Sequence, residues 1–285
     1  MSPTRHSGKN RRFTLGLFFL ANALTGFAAE TNKIEIYSES MDKNIPAMAI
    51  LPDSYAESTE TYPVVYLLHG KGGAFSHWQN AAPLTALSDQ YQMIIICPDG
   101  DNDSWYLDSP ERSESQYMTY LVDEVVPYVD QVFRTKANSA NRAISGNSMG
   151  GHGALLAALK NPGIFGAAGS MSGVLDLRPY AHSSLGKSIS KRIGSFEEYP
   201  DRWDEVSVRY NLPALEEEPL AIIIECGTAD HFIKTNRAIH KALIEAKVDH
   251  TYIESTGGHN WGFWKNAVKF QMLFFHEYFS RNPEE

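Results

Sequence analysis

A serine between closely spaced glycines is the first feature of this sequence that could do chemistry. Residues 146–150 read Gly-Asn-Ser-Met-Gly, the pattern G-x-S-x-G. An apolar run typical of a strand precedes the pattern and a helical periodicity follows it, the context in which a serine sits exposed on a sharp, strained turn. We therefore predict that Ser148 is a nucleophile. The competing interpretation is a glycine-rich turn with an idle serine, which the flanking elements disfavour.

A serine hydroxyl is a weak nucleophile, so it needs a base within hydrogen-bond reach and a third group to orient that base. Where a G-x-S-x-G serine is used, acid and histidine follow it in the chain. His259 comes after the last predicted strand, behind the glycine pair at 257–258, and is the predicted base. His69 is the best upstream rival. We expect the other downstream histidines to have structural roles, in a helix, at a strand or beside the acid. They are His231, His240, His250 and His276.

The acid that orients the histidine should follow a late strand. The apolar run at 220–226 continues into Gly-Thr-Ala-Asp at 227–230, so Asp230 is the predicted acid. Asp176, which follows the preceding predicted strand, is the main rival. For either carboxylate the alternative role is a salt bridge or a helix cap.

A tetrahedral oxyanion needs two hydrogen-bond donors. The backbone amide of Met149, the residue after the nucleophile, supplies one by the geometry of the turn. The second is expected from the glycine-rich loop His-Gly-Lys-Gly-Gly at 69–73. The amide of Lys71 is preferred, with Gly70 or Gly72 as alternatives, and an ordinary glycine-rich turn is the competing interpretation.

Strands and helices must alternate to place these residues together. Apolar runs predict strands at 33–37, 47–51, 64–68, 93–97, 142–145, 166–171, 220–225 and 250–254, and helical periodicity covers 117–133, 149–160, 236–246 and 261–279. This alternation predicts an α/β fold, with a mostly parallel central sheet, helices on both faces and chemistry beyond the carboxyl ends of the strands. Residues 174–219, polar and rich in serine and arginine, are predicted to be an insertion over the site.

The beginning of the chain is typical of a signal peptide. Four basic residues precede an apolar run at 13–23, and Gly-Phe-Ala-Ala, with two alanines at its end, follows at 26–29. That run is too short for the roughly 20 residues of a membrane helix. We predict a signal peptide at 1–29, one domain at 30–285 and a secreted or periplasmic protein without a stable membrane anchor. The sequence leaves its oligomeric state open.

Charge and cysteine count exclude other classes. The net charge of −9 makes nucleic acid an unfavourable partner, because that binding relies on basic patches. Only two cysteines occur, Cys97 and Cys226, so a disulfide scaffold is excluded. Their strands are expected not to be neighbours, which predicts two free thiols.

Four stretches carry a resemblance to a known family: residues 62–70, residues 98–100 with 104–106, residues 146–153 and residues 258–261. With these the chain resembles the esterase D or putative-esterase family of α/β-hydrolases, which includes S-formylglutathione hydrolases, tributyrin esterases, feruloyl esterases and mycolyltransferases. The resemblance spans nearly all of the chain after the leader. It implies Ser148, Asp230 and His259 as catalytic residues and amides at Met149 and Lys71 as oxyanion donors.

The expected reaction is hydrolysis of a small acyl or aryl ester, or of an ester carried on a carbohydrate, without a metal or an organic cofactor. Acyl transfer to a sugar hydroxyl is the first alternative. S-formylglutathione hydrolysis fits an exported protein poorly, and a binding protein that lacks the chemistry is the third alternative. The predicted substrate-binding residues are His69, Gly70, Trp105, Tyr106 and Trp261. The acidic loop with Asp99, Asp101 and Asp103 resembles the start of a calcium loop, but Ser104 and Pro110 stand where that motif needs glycine and glutamate, so no bound metal is predicted.

Overall fold

The computed structural model describes residues 31–281, which form a central eight-stranded β-sheet. The predicted signal peptide at 1–29 lies outside these residues. Each of the eight predicted apolar runs overlaps one strand. The strands are β1 Thr31–Ser38, β2 Lys43–Ile50, β3 Val64–Leu68, β4 Ile94–Pro98, β5 Arg142–Gly146, β6 Ala167–Met171, β7 Ala221–Gly227 and β8 Thr251–Ser255.

The strand order across the sheet is β1-β2-β4-β3-β5-β6-β7-β8. β2 pairs antiparallel with β1 and with β4, and all other pairs are parallel. This confirms the predicted mostly parallel sheet. Every residue of β3, β4, β5 and β6 is buried, because helices cover both faces. The chain order reverses between β3 and β5, and the crevice beyond the carboxyl ends of two such strands is where ligands bind in open α/β sheets.

Ten α-helical segments are described in residues 31–281. They are α1 His77–Ala81, α2 Leu84–Tyr91, α3 Tyr117–Thr119, α4 Val126–Val132, α5 Met149–Lys160, α6 Ser184–Ile193, α7 Pro200–Glu205, α8 Val208–Asn211, α9 Ile233–Glu245 and α10 Trp261–Arg281. The single helix predicted at 117–133 contains a π-helical stretch, Tyr120–Val125, between α3 and α4. Pro127 lies in the first turn of α4 and lacks the N–H that an unbroken α-helical ladder would use. No helix in this part of the chain is long and apolar enough to cross a membrane.

The insertion at 174–219 holds three short helices, α6 to α8, that the sequence did not reveal. The side chain of Ser183 caps α6 by accepting from the amides of Leu185 and Gly186. Ile189 of α6 and Trp203 of α7 are fully buried in the core. Their apolar positions are too few and too widely separated by serine and arginine to give a periodic signal.

Cys97 in β4 and Cys226 in β7 are both free and buried. Three strands, β3, β5 and β6, separate β4 from β7. The prediction that these two strands are not neighbours and that both thiols are free is therefore confirmed. Burial also raises the pKa of both thiols, that of Cys226 to about 12.

Candidate active site

Ser148 occupies the turn between β5 and α5. Its backbone has φ 55° and ψ −116°, a left-handed conformation that costs energy in a residue with a side chain. The turn is sharp because the start of α5 packs tightly against the end of β3. A Cβ on Gly150 would lie 2.5 Å from the carbonyl oxygen of Leu68. The two glycines of the motif thus allow a close approach that no larger residue would permit, and the serine is displayed at the strand end.

The structure brings the three predicted residues together in one hydrogen-bonded chain. Nε2 of His259 lies 2.9 Å from Oγ of Ser148, and Nδ1 lies 2.9 Å from Oδ2 of Asp230. Asp230 follows β7 and His259 follows β8, so both lie in loops at the same edge of the sheet as Ser148. An ionised Asp230 can only accept, so Nδ1 of His259 carries the proton and Nε2 is left to accept the serine hydroxyl. This is the arrangement in which an imidazole acts as general base.

Asp230 is held as a carboxylate. Burial on its own would raise its pKa, but hydrogen bonds from His259 and from the backbone amide of Phe232 outweigh it and leave the pKa below the ordinary value. The carboxylate is thus charged at neutral pH, and it stabilises the imidazolium that forms when His259 takes a proton.

The rival acid, Asp176, lies elsewhere. Its carboxylate accepts from the backbone amide of Arg178 at 3.3 Å and lies 4.0 Å from Nε of Arg209. Burial raises the pKa of this carboxyl. Asp176 therefore supports the insertion, and the alternative role as a salt-bridge partner applies to it.

The loop after β3 passes directly over the nucleophile. A Cβ on Gly70 would lie 3.3 Å from Cβ of Ser148. Within this loop the amide of Gly72 donates to the carbonyl of Asn102, and the amide of Gly73 donates to the carbonyl of Gly70. The amides of Lys71 and Met149 have no such partner in the described part of the chain. Gly72 is thereby removed as an oxyanion donor, and the preferred pair stays available.

His69 does not contact the pocket, which corrects its prediction as a substrate-binding residue. Its side chain is 1% exposed. The amide of Gly100 donates to Nε2, so Nδ1 carries the proton and donates to the carbonyl of Gly70. Burial lowers the pKa of this imidazole, which keeps it neutral. His69 instead holds the loop of Lys71 against the loop that follows β4.

Trp105 and Tyr106 are likewise buried, at 0% and 1% exposure, and their prediction as substrate-binding residues was wrong. The indole N–H of Trp105 donates to Oγ of Ser188 in α6. The hydroxyl of Tyr106 bonds to both the amide and the carbonyl of His69. Trp105 therefore contacts the insertion, and Tyr106 holds the start of the loop that contains Lys71. Both residues follow the acidic loop in the sequence. This position could not show whether their rings line the pocket or pack in the core.

The pocket at Ser148 has a volume of about 360 Å³. Gly70 and Trp261 line it as predicted, together with Lys71 and His259. Trp264 lines it too, and no pocket role was predicted for four further lining residues, which are His77, Asn147, Leu185 and Phe232. Only the position of Asn147 inside the G-x-S-x-G motif gave a signal.

Aromatic rings fix the position of the imidazole. Phe232 and Trp264 lie edge to face with His259, each with its ring centroid 4.9 Å away. Trp264 in turn packs against Trp261 at 5.3 Å. Such contacts restrict how far His259 can rotate away from Ser148.

The acidic loop at 99–103 forms ion pairs with an arginine of the insertion. Arg192 of α6 is 3% exposed and pairs with Asp103 at 2.5 Å and with Asp101 at 3.4 Å. Asp99 accepts from the amides of Phe75 and Asp101. Asp101 and Asp103 therefore attach the insertion to the loop that follows β4, and Asp99 holds that loop to the segment that follows β3.

The sheet order and the serine turn after β5 define the α/β-hydrolase fold. A family model described as Putative esterase matches residues 38–274, and the chain belongs to that family. It is an esterase, as the resemblance predicted.

Individual proteins agree with this placement. An acetyl esterase of Caldicellulosiruptor saccharolyticus is 27% identical over 254 residues, which cover 83% of this chain and 94% of that protein. An endo-1,4-beta-xylanase/feruloyl esterase of Xylanibacter ruminicola is 31% identical over 153 residues, 50% of this chain and 21% of that longer protein. The substrate-bound structure of the fluorophosphonate-binding serine hydrolase F of Staphylococcus aureus has a TM-score of 0.78 at 20% identity, over 88% of this chain and 99% of that one.

Proposed function

We propose that this protein is a secreted or periplasmic carboxylesterase that hydrolyses small acyl or aryl esters through an acyl-enzyme on Ser148. The observation that carries the proposal is the unbroken chain of two 2.9 Å hydrogen bonds from Ser148 through His259 to Asp230. Such a chain, in a member of an esterase family, has the geometry that activates a serine.

Acylation begins when Oγ of Ser148 attacks the ester carbonyl carbon. Nε2 of His259 takes the hydroxyl proton, and Asp230 stabilises the resulting imidazolium. The carbonyl oxygen becomes an oxyanion held by the amides of Met149 and Lys71. When the tetrahedral intermediate collapses, the C–O bond to the alcohol breaks, and His259 returns the proton to the departing alkoxide.

Deacylation repeats the sequence with water. His259 takes a proton from the water as its oxygen attacks the acyl carbon, and the proton passes to Oγ of Ser148 as the acyl bond breaks. The carboxylic acid leaves and the free serine is restored. No step requires a metal or an organic cofactor.

The pocket and the relatives together favour an acetyl or feruloyl ester carried on a carbohydrate. A volume of about 360 Å³ is near the lower end of ligand pockets, enough for a small acyl group and part of its alcohol. Trp261 is part-exposed at the pocket and offers a ring on which a sugar or a phenolic ring can stack. The names of the Caldicellulosiruptor and Xylanibacter relatives include acetyl and feruloyl esterases.

The test is a panel of acetyl, butyryl and feruloyl esters, free and on xylo-oligosaccharides, assayed with the purified protein and with Ser148→Ala. We expect turnover of at least one class and none with the variant. Adding a sugar acceptor distinguishes the first alternative, because a transferase would form a new sugar ester in preference to free acid. S-formylglutathione as the best substrate, or no turnover of any ester, would contradict the proposal. N-terminal sequencing of exported protein tests removal of residues 1–29.

A further inference from the structure

A second histidine lies against the proposed base. His231 directly follows Asp230 in the loop after β7, and its ring centroid is 4.4 Å from that of His259. It is exposed at the pocket and makes no hydrogen bond within the described residues. The reaction proposed above does not need His231, which leaves its position unexplained.

Together the two histidines and Asp230 have the donor atoms of a transition-metal site. One ligand atom from each of the three residues lies within 4.8 Å of the others, and in residues 31–281 no other group of histidine, cysteine, aspartate and glutamate side chains does this. Zinc binds imidazole nitrogen and carboxylate oxygen at about 2.0–2.2 Å, which places ligand atoms about 3.3 Å apart in a tetrahedron. A closure of about 1.5 Å or less therefore completes three ligands. Of the three residues, His231 and His259 line the pocket, and Asp230 is 3% exposed.

We propose that Asp230, His231 and His259 form an inhibitory site for Zn²⁺ or a similar ion that prefers imidazole. This inference rests on the proposed function, because the ion acts by withdrawing the base. Both ring nitrogens of His259 are engaged, one with Ser148 and the other with Asp230. Coordination through either nitrogen removes one of these hydrogen bonds, so the serine loses its activation while the ion is bound.

His231 supplies the specificity of this site. Every Ser-His-Asp triad contains an aspartate and a histidine like Asp230 and His259. Two ligands from such a hydrogen-bonded pair hold an ion weakly. The exposed imidazole of His231 adds a third ligand that the proposed reaction does not use. Divalent ions that prefer oxygen ligands, such as Mg²⁺, should not compete, because two of the three ligands are nitrogen.

The experiment titrates Zn²⁺ against hydrolysis of p-nitrophenyl acetate by EDTA-treated protein, with Mg²⁺ as the ion control. His231→Gln is the test variant, and His77→Gln is the matched control because it changes a histidine that lines the same pocket outside the cluster. We expect Zn²⁺ to inhibit wild type and His77→Gln reversibly, with EDTA restoring the rate. In His231→Gln the inhibitory concentration should rise at least about tenfold, since even outer-shell partners of a metal are worth that much.

Calorimetry measures zinc binding independently of ester hydrolysis, so it tests the metal site apart from the proposed function. Ser148→Ala keeps all three ligands, so it should bind Zn²⁺, and the double variant with His231→Gln should lose that binding. Equal zinc inhibition of wild type and His231→Gln, or no inhibition of wild type, would overturn the inference. If no ester is hydrolysed but zinc binding still depends on His231, the proposed function fails and the metal site stands.

Discussion

Glu225 gives the folded protein a dependence on pH that can be measured. The side chain is 1% exposed at the end of β7, and burial raises its pKa to about 8. Its Oε1 accepts from Nε2 of Gln271, and Oε1 of Gln271 accepts from the hydroxyl of Ser145 in β5. This chain of contacts links β7 and α10 to β5, the strand that precedes the nucleophile.

The sign and size of the effect follow from proton binding. The unfolded chain releases the proton of Glu225 near the ordinary pKa of 4.5, whereas the folded chain keeps it until about pH 8. Between these pH values the folded state binds one proton more, so rising pH favours unfolding. At about 1.4 kcal/mol per pH unit the full loss is at most about 5 kcal/mol, complete above pH 8. About 2 kcal/mol of it falls between pH 6 and pH 8.

Glu225→Gln removes the ionisation and keeps an oxygen that can accept from Gln271. The free energy of unfolding is measured in urea by tryptophan fluorescence. Between pH 6 and pH 8 we expect its value for the variant to rise by about 2 kcal/mol relative to wild type. Glu57→Gln, which changes an exposed carboxylate, should follow wild type at both pH values. A constant difference between Glu225→Gln and wild type across this interval would refute a neutral, buried Glu225.

Three further predictions concern the site. Asp230→Asn should lower kcat by up to about 10⁴-fold because the imidazole loses its orientation, while Asp176→Asn should leave kcat within about tenfold. The reverse ranking in steady-state kinetics would show that Asp176 is the acid. Gly150→Ala should destabilise the fold by at least about 2 kcal/mol, because its Cβ would meet the carbonyl of Leu68; an unchanged urea midpoint would contradict the packing of the turn. Leu185→Ala should raise kcat/KM for feruloyl relative to acetyl esters by at least about threefold, since it is the residue of the insertion that lines the pocket; an unchanged ratio would place acyl selectivity elsewhere.

The residues of the hydrogen-bonded chain could be predicted from the sequence because their signals are local. Ser148 sits in a five-residue motif between a strand and a helix, and Asp230 and His259 each follow an apolar run within a few residues. In a mostly parallel sheet the carboxyl ends of the strands meet at one edge, so strand assignment alone places such residues together. The mostly parallel sheet followed from the same alternation, whereas the full strand order came only from the structure.

The lining of the pocket could not be predicted because it depends on contacts between distant segments. Trp105 is buried and donates a hydrogen bond to Ser188, 83 residues away, and nothing near Trp105 in the sequence indicates this. Leu185 lies in a short, serine-rich helix whose polarity concealed that it reaches the site. His69 looked like a pocket residue because it adjoins Gly70, yet its side chain turns inward to the amide of Gly100.

The role of Ser148 as the nucleophile can be tested by identifying which serine reacts. The protein is incubated with a fluorophosphonate, digested, and the modified peptide is located by tandem mass spectrometry. We expect one stoichiometric adduct on Ser148, rapid labelling of wild type, no labelling of Ser148→Ala and labelling slowed by orders of magnitude in His259→Ala. An adduct on another serine, or labelling of Ser148 that is unaffected by loss of His259, would contradict this role.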